Sequence, residues 1–334
     1  MPQSEVELAA RVAQAEKLAV ATALNSVEDR RPASLPLIEA LLRALASMRS
    51  VDYGQRVGLT GPPGVGKSTL TAALARAQRE KGLSVGVLAV DPSSTRSGGA
   101  LLGDRARMAF DPHDAGLFVR SVATAGDLGG LTYSANAAIQ VLAAAYDRVI
   151  VETTGVGQTE TDVEQVVDTV CLVIQPGSGD VLQFIKAGIM EIPDVIVVNK
   201  GDHGRLAQRA AADLAGALDR LRTAGMGDEA RSWKLPVLVT SARDRTGISE
   251  LIEAFEAHRA TFTAEGLAEK RRQGGANWAA SLFVRLHGEH GLRFCGDRAQ
   301  LVAQMRRRLE QSEQPVGAAL ALSDAYLRSL RSIG

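Results

Sequence analysis

One eight-residue stretch limits this chain more than any other: Gly61-Pro62-Pro63-Gly64-Val65-Gly66-Lys67-Ser68 satisfies G-x-x-x-x-G-K-[ST]. It stands after the apolar run RVGLT and before STLTAALARAQRE, which has helical composition. Glycines let successive backbone N–H groups turn inward on a phosphate, and the following helix offers its positive end. The pattern therefore predicts a nucleotide loop of Gly61, Gly64, Val65, Gly66, Lys67, Ser68 and Thr69. Lys67 is expected as an exposed loop lysine bridging β- and γ-oxygens, and the Ser68 hydroxyl as a ligand of Mg²⁺. Such a loop needs a strand behind it and a helix ahead, which commits the chain to an α/β architecture.

The remaining texture agrees. Short β-rich runs recur at Arg56–Leu59, Val85–Val90, Leu117–Val119, Arg148–Val151, Thr169–Ile174, Val195–Val198 and Val237–Val239, mostly separated by Ala-rich helical stretches. That alternation predicts a doubly wound, mostly parallel sheet over residues 51–260. Residues 1–50 lack glycine and read as a helical region, with Leu35, Leu37, Leu41, Leu42 and Leu45 expected on one face. Residues 261–334 read as an Arg- and Gln-rich helical tail. It has too few large apolar residues for a core of its own, so it is expected to pack on the central domain or on a second copy.

Composition narrows the function. Thirty-eight Lys+Arg balance thirty-eight Asp+Glu, so the long-range field that draws a basic protein to nucleic acid or anionic membrane is missing. No run of about eighteen apolar residues is present, and the amino-terminal segment has no signal-peptide pattern, so the expectation is a cytoplasmic protein. Cys171 and Cys295, neither at metal-ligand spacing, are expected as buried free thiols.

Acidic residues close two of the runs. Asp91 ends VGVLAVD and Glu152 ends RVIVE, placing both at the carboxyl edge of strands beside the phosphate loop. With Asp104 in GGALLGDRARM they are candidate holders of Mg²⁺, which keeps several waters and needs one or two carboxylates nearby. Asn199-Lys200-Gly201-Asp202 follows DVIVV and matches N-K-x-D. An Asp carboxylate there accepts from guanine N1–H and the 2-amino group, whereas adenine would leave it unpaired, so GTP and GDP are expected rather than ATP. Ser241 and Ala242 end the run VLVT, where a backbone amide can meet the guanine carbonyl.

The stretches TGPPGVGKSTL, VLAVDPSS, SGGALLGDRARM, FVRSVATAGDLGGL, IVETTGVGQTETDV, PGSGDVLQFIKAGIMEIPDVIVVNKGD and TSARDRTGISEL resemble the MeaB/ArgK/methylmalonic aciduria type A family of P-loop GTPases, and the flanks agree more weakly. The resemblance implies a homodimeric Mg²⁺-dependent GTPase, the C-terminal helices serving as its dimerisation arm. It implies a chaperone of an adenosylcobalamin-dependent acyl-CoA mutase, gating cofactor loading and protecting the mutase, with the cobalamin held by the mutase. An adenosyltransferase is a further implied partner. By the same resemblance Asp91 and Asp104 belong to a first switch, and Glu152, Gly155 and Gln158 to a second. Asp180, Gln183 and Lys186 fall in a third, partner-sensing switch. Lys67, Asp91, Asp104, Glu152 and Gln158 are thus the catalytic candidates, although Val156 stands where Ras-like proteins carry the water-orienting Gln.

Three other features weigh less. Asp111-x-His113-x-x-Gly116 matches a cobalt-binding signature but lacks the rest of its domain. His287 and His290 lie among glycines that argue for a turn rather than a metal site. Arg306-Arg307-Arg308 reads as a solvated helix face, and Trp233 and Trp278 as packing anchors. Two rival functions use the same loop: a kinase of a transport-linked protein, and a nickel-insertion GTPase. The second would want a His-rich tract, which five scattered His do not supply.

Overall fold

The computed structural model describes residues 3–50, 53–91, 110–111, 113–123, 133–153, 163–177, 193–223, 233–311 and 314–331. Three helices come first: α1 (Gln3–Ala13), α2 (Lys17–Val27) and α3 (Leu35–Met48). Then β1 (Gln55–Thr60), α4 (Lys67–Glu80), β2 (Val85–Asp91), β3 (Leu117–Ala123), α5 (Tyr133–Ala145), β4 (Arg148–Thr153), β5 (Thr169–Ile174) and β6 (Val195–Val198) follow. The chain continues through α6 (Arg205–Thr223), β7 (Val237–Val239), α7 (Ile248–Arg259), α8 (Ala264–Cys295), α9 (Arg298–Glu310) and α10 (Pro315–Arg331). Two compact units emerge, neither continuous in sequence. Residues 1–53, 133–145 and 264–334 form one, and residues 54–132 and 146–263 form the other.

The second unit holds a seven-stranded sheet in the order β3-β2-β4-β1-β5-β6-β7, and every pairing is parallel. Each β-rich run of the sequence is one of these strands. Parallel strands are covered on both faces, which is why β5 and β6 are buried at every position. Alternation along β5 sends Cys171 and Val173 into a core with Leu59, Leu70, Leu74, Ile252 and Phe255 from β1, α4 and α7. Leu172 and Ile174 face the opposite way, against Ile196, Val198, Ala207 and Leu214. Both cysteines are free and buried, and burial pushes both thiols up, away from reactivity.

The amino edge of the sheet is closed by a buried polar network. Asp194 accepts from the Val170 amide at 2.8 Å and lies 3.3 Å from His258 Nε2, while His258 Nδ1 meets Thr169 Oγ1 at 2.9 Å. Trp233 donates its indole N–H to the Asp194 carbonyl at 2.7 Å and packs on the His258 ring, the anchoring role its composition suggests. With these groups engaged, the carboxyl edge is left for chemistry.

The first unit is helical. Leu35, Leu41, Leu42 and Leu45 of α3 are buried together with Ile38, but Leu37 is 50% exposed and does not belong to the stripe. The tail helices share a compact unit with α1–α3 and α5, where the sequence suggests packing on the central domain or a second copy. Within α8 the backbone leaves helical geometry at Gly288 (φ 61°, ψ −157°), the break that the glycines around His287 suggest. His287 packs on Phe283 and Tyr326, and His290 Nδ1 meets the Tyr326 hydroxyl at 2.6 Å. Among the described residues no helix is long and apolar enough to cross a membrane.

Candidate functional site

Two glycines show why the phosphate loop has its sequence. Gly61 sits at φ +139°, and a Cβ there would lie 2.0 Å from the Val173 carbonyl oxygen. Gly66 sits at φ +92°, and a Cβ would meet Asn199 Nδ2 at 2.7 Å. Both positions need glycine for conformation and for space. The loop opens into α4, whose first backbone N–H groups have no intrahelical acceptor and can receive an anion.

Lys67 differs from its expectation. It is 7% exposed rather than an exposed loop residue, and its ammonium donates to the carbonyls of Gly61 at 2.7 Å and Pro62 at 2.9 Å. The reason is position: Lys67 is the first residue of α4, and its side chain folds back under the loop it closes.

Glu152 stands beside it. It pairs in register with Leu59 on β1 and Ala89 on β2, at the carboxyl edge, and is 7% exposed. Ser68 Oγ donates to its Oε1 at 2.6 Å, and Thr71 Oγ1 donates to its Oε2 at 3.2 Å. The Glu152 carboxylate beside the Ser68 hydroxyl is a hard-oxygen donor pair of the kind Mg²⁺ takes, so these two residues fit that ion. Among the described residues no group of three or more His, Cys, Asp or Glu that could hold a metal ion is present. Asp91 ends β2 two residues beyond Ala89, on the same edge. Its side chain, and all of Asp104, Gly155, Gln158, Asp180, Gln183 and Lys186, lie outside the described residues.

Across β5 stands the second half of the site. Asn199, after β6, donates Nδ2–H to the Val65 carbonyl at 2.9 Å and accepts at Oδ1 from Thr240 Oγ1 at 3.2 Å and the Ala242 amide at 3.3 Å. One side chain thus joins the phosphate loop to the loop after β7. Lys200 adopts φ +60°, and its ammonium donates to Gln175 Oε1. Asp202 is exposed, with Oδ1 accepting from Ser241 Oγ at 3.2 Å, and Ser241 Oγ in turn accepts from the Asp244 amide at 3.1 Å. The carboxylate is held at the surface with its orientation set from behind.

The structure therefore brings the phosphate loop, Glu152, Asn199, Asp202, Ser241 and Ala242 to one sheet edge. Thr71 and Gln175 join them without having been singled out in the sequence. Thr71 had a signal, since it lies three residues after Ser68 on the same helix face; Gln175, just past β5, had none. His113 is exposed, and its amide donates to Asp111 Oδ1 at 2.9 Å, so the Asp-x-His pair is a turn. Arg306 pairs with Glu269 at 2.7 Å, and Arg307 is exposed, as a solvated helix face requires.

Comparison with known proteins places this architecture. Residues 20–286 match the family model described as methylmalonyl Co-A mutase-associated GTPase MeaB. A GTPase of Pyrococcus horikoshii is 43% identical over 268 residues, covering 80% of this chain and 81% of that protein. The mouse mitochondrial methylmalonic aciduria type A homolog is 35% identical over 323 residues, covering 93% of this chain and 77% of that one. A solved structure of a LAO/AO transport system kinase superposes with a TM-score of 0.64 at 28% identity, covering 91% of this chain and 99% of its own. With the phosphate loop and the N-K-x-D segment on one edge of an all-parallel sheet, and a family match over most of its length, this chain is a GTPase and belongs to the MeaB family.

Proposed function

We propose that this GTPase is the chaperone of an adenosylcobalamin-dependent acyl-CoA mutase, using GTP hydrolysis to gate cofactor loading and to protect the loaded enzyme. The observation carrying this reading is the match of residues 20–286 to a family named for its association with methylmalonyl-CoA mutase. In this reading the chain works as a homodimer through its C-terminal helices, an adenosyltransferase is a second partner, and the cobalamin stays with the mutase.

The residues divide the labour at the sheet edge. Lys67 exchanges the Gly61 and Pro62 carbonyls for β- and γ-phosphate oxygens, so nucleotide entry replaces one set of acceptors with a more strongly charged one. Ser68 and Glu152, with Asp91 and Asp104, would hold Mg²⁺ directly or through water, and the bound ion would supply positive charge to offset that of the phosphates. Asp202 accepts from the guanine N1–H and 2-amino groups, and the Ala242 amide exchanges the Asn199 Oδ1 that it meets at 3.3 Å for the guanine carbonyl. Asp104 and Gln158 complete the two switches, and Asp180, Gln183 and Lys186 sense the mutase.

The test is GTP turnover with and without saturating mutase, for wild type and for Ala at Asp180, Gln183 and Lys186. Wild type should be stimulated. Lys186→Ala should keep basal turnover and lose most of the stimulation. No stimulation of wild type by any acyl-CoA mutase would remove the chaperone reading. The likeness to a transport-linked kinase favours one other reading, phosphoryl transfer to a protein acceptor. With γ-labelled GTP that reading requires protein-bound label, whereas the chaperone reading requires free phosphate.

A further inference from the structure

Near the end of β4 this chain carries a glutamate, one methylene longer than an aspartate. Its head group spans from Ser68 to Thr71, one turn further along α4, where Thr71 is 0% exposed. Each oxygen of Glu152 then has its own hydroxyl donor: Ser68 Oγ on Oε1 at 2.6 Å and Thr71 Oγ1 on Oε2 at 3.2 Å. The two donors stand at i and i+3 on one helix, so they are fixed relative to each other by the helix itself. A carboxylate tethered through one oxygen still rotates about its terminal bond, whereas one tethered through both does not. Burial raises the stakes, since Glu152 is 7% exposed and a buried charge needs donors.

We propose that Thr71 is a positioning residue for the divalent-cation site: its hydroxyl fixes the rotation of the Glu152 carboxylate and so sets the affinity for the cation. The proposal rests on the assignment of Ser68 and Glu152 to that cation. Ser68 keeps its proton on Glu152 Oε1 while its oxygen lone pairs stay available to the ion. Thr71 never touches the ion or the nucleotide; it acts through the carboxylate alone.

The experiment measures Mn²⁺ binding to the GDP complex by the loss of free-ion paramagnetic signal, with GDP affinity in excess chelator and the melting midpoint as companions. The variants are Thr71→Val, which keeps the side-chain shape without the hydroxyl, Thr71→Ser, which keeps the hydroxyl, and Glu152→Gln. Thr71→Val should weaken Mn²⁺ binding by about tenfold, the usual cost of removing a group that orients a metal ligand. Chelator-state GDP affinity should stay within about twofold of wild type, since no phosphate or base contact is lost. Thr71→Ser should restore Mn²⁺ binding. Wild-type Mn²⁺ affinity in Thr71→Val, with Glu152→Gln weakened, overturns the role of Thr71 and leaves the cation site standing. Unchanged affinity in Glu152→Gln overturns the cation site and the proposal with it. Failure of Thr71→Ser to restore binding, at an unchanged melting midpoint, also overturns the proposal.

Discussion

In the proposed site Asp202 reads the base through two carboxylate oxygens, and its neighbours hold one of them in place. Ser241 Oγ donates to Oδ1 from behind, itself held by the Asp244 amide, so the carboxylate cannot swing away to find other donors. Asp202→Asn turns an NH₂ toward a guanine donor and should cost about 2–4 kcal/mol of GTP affinity, the range for a charged hydrogen bond lost and a donor left facing a donor. XTP, with a carbonyl at C2, should bind the variant better than GTP does. Side-by-side titration of the two nucleotides checks this, and unchanged GTP affinity would remove Asp202 from the base site. Lys67 makes a second case. In the proposed site its ammonium supplies charge to the γ-phosphate in the transition state, so on that reading Lys67→Ala should slow hydrolysis by about 10²–10³-fold. The melting midpoint without nucleotide should move by no more than about 2–4 °C, because losing two carbonyl contacts is offset by losing the desolvation of a buried cation. Normal turnover in this variant contradicts the phosphate-site assignment. Lys67, Ser68, Asn199 and Asp202 were legible because their spacing along the chain is itself the signal. The burial of Lys67 and the pairing of Thr71 with Glu152 were not, because both depend on how far a side chain folds back or reaches across to another strand.

Among the elements, the strands were the most legible part of the fold. A parallel sheet covered on both faces leaves continuous apolar runs such as TVCLVI and VIVV, and these need no decision about which face is inward. Helix α3 was harder. Leu37 lies two residues from Leu35, about 200° around a helix that turns about 100° per residue, so it cannot share that face. The energetic contrast is direct: Leu42→Ala removes a side chain 1% exposed and should cost about 2–5 kcal/mol, while Leu37→Ala, at 50% exposed, should stay within about 0.5 kcal/mol. Melting midpoints of the two variants, measured under one set of conditions, test the assignment. Helix α8 carries a pH dependence at its break. Burial pushes the His287 imidazole below its ordinary value of 6.5, disfavouring the charged ring in the folded state. The unfolded chain therefore takes up the proton first, and stability present above pH 6.5 falls as pH drops through that value toward the folded one. Replacing the ring with one that cannot titrate, His287→Phe, should flatten the fall in melting midpoint between pH 7.5 and 5.5. A slope equal to that of wild type would mean the acid sensitivity arises elsewhere.

For the whole molecule, the connectivity has a consequence that the order of elements hides. Helix α5 joins β3 to β4, as a crossover in a parallel sheet must, yet it clusters with the helical unit, and the chain passes between the two units four times. The α5 residues Ala135, Ala138, Ile139, Val141 and Leu142 are all 0% exposed, and α1, α2, α3 and α8 pack against this helix. A fragment of residues 54–263 would keep the entire sheet, the phosphate loop and the N-K-x-D segment but would strip α5 of those four helices. Each Ile or Leu so uncovered forfeits about 1.5–3 kcal/mol and adds to one continuous apolar face. The fragment should therefore aggregate on expression or on concentration, measured by light scattering, while the full chain does not. Ile139→Ser with Leu142→Ser should rescue solubility of the fragment. The same pair placed in the full chain should lower its melting midpoint, because the hydroxyls would then be buried without partners. Opposite effects of one double substitution in the two backgrounds are what the placement of α5 requires. A fragment that stays monodisperse without the substitutions would show that α5 finds its cover on the sheet, and that the helical unit closes without it.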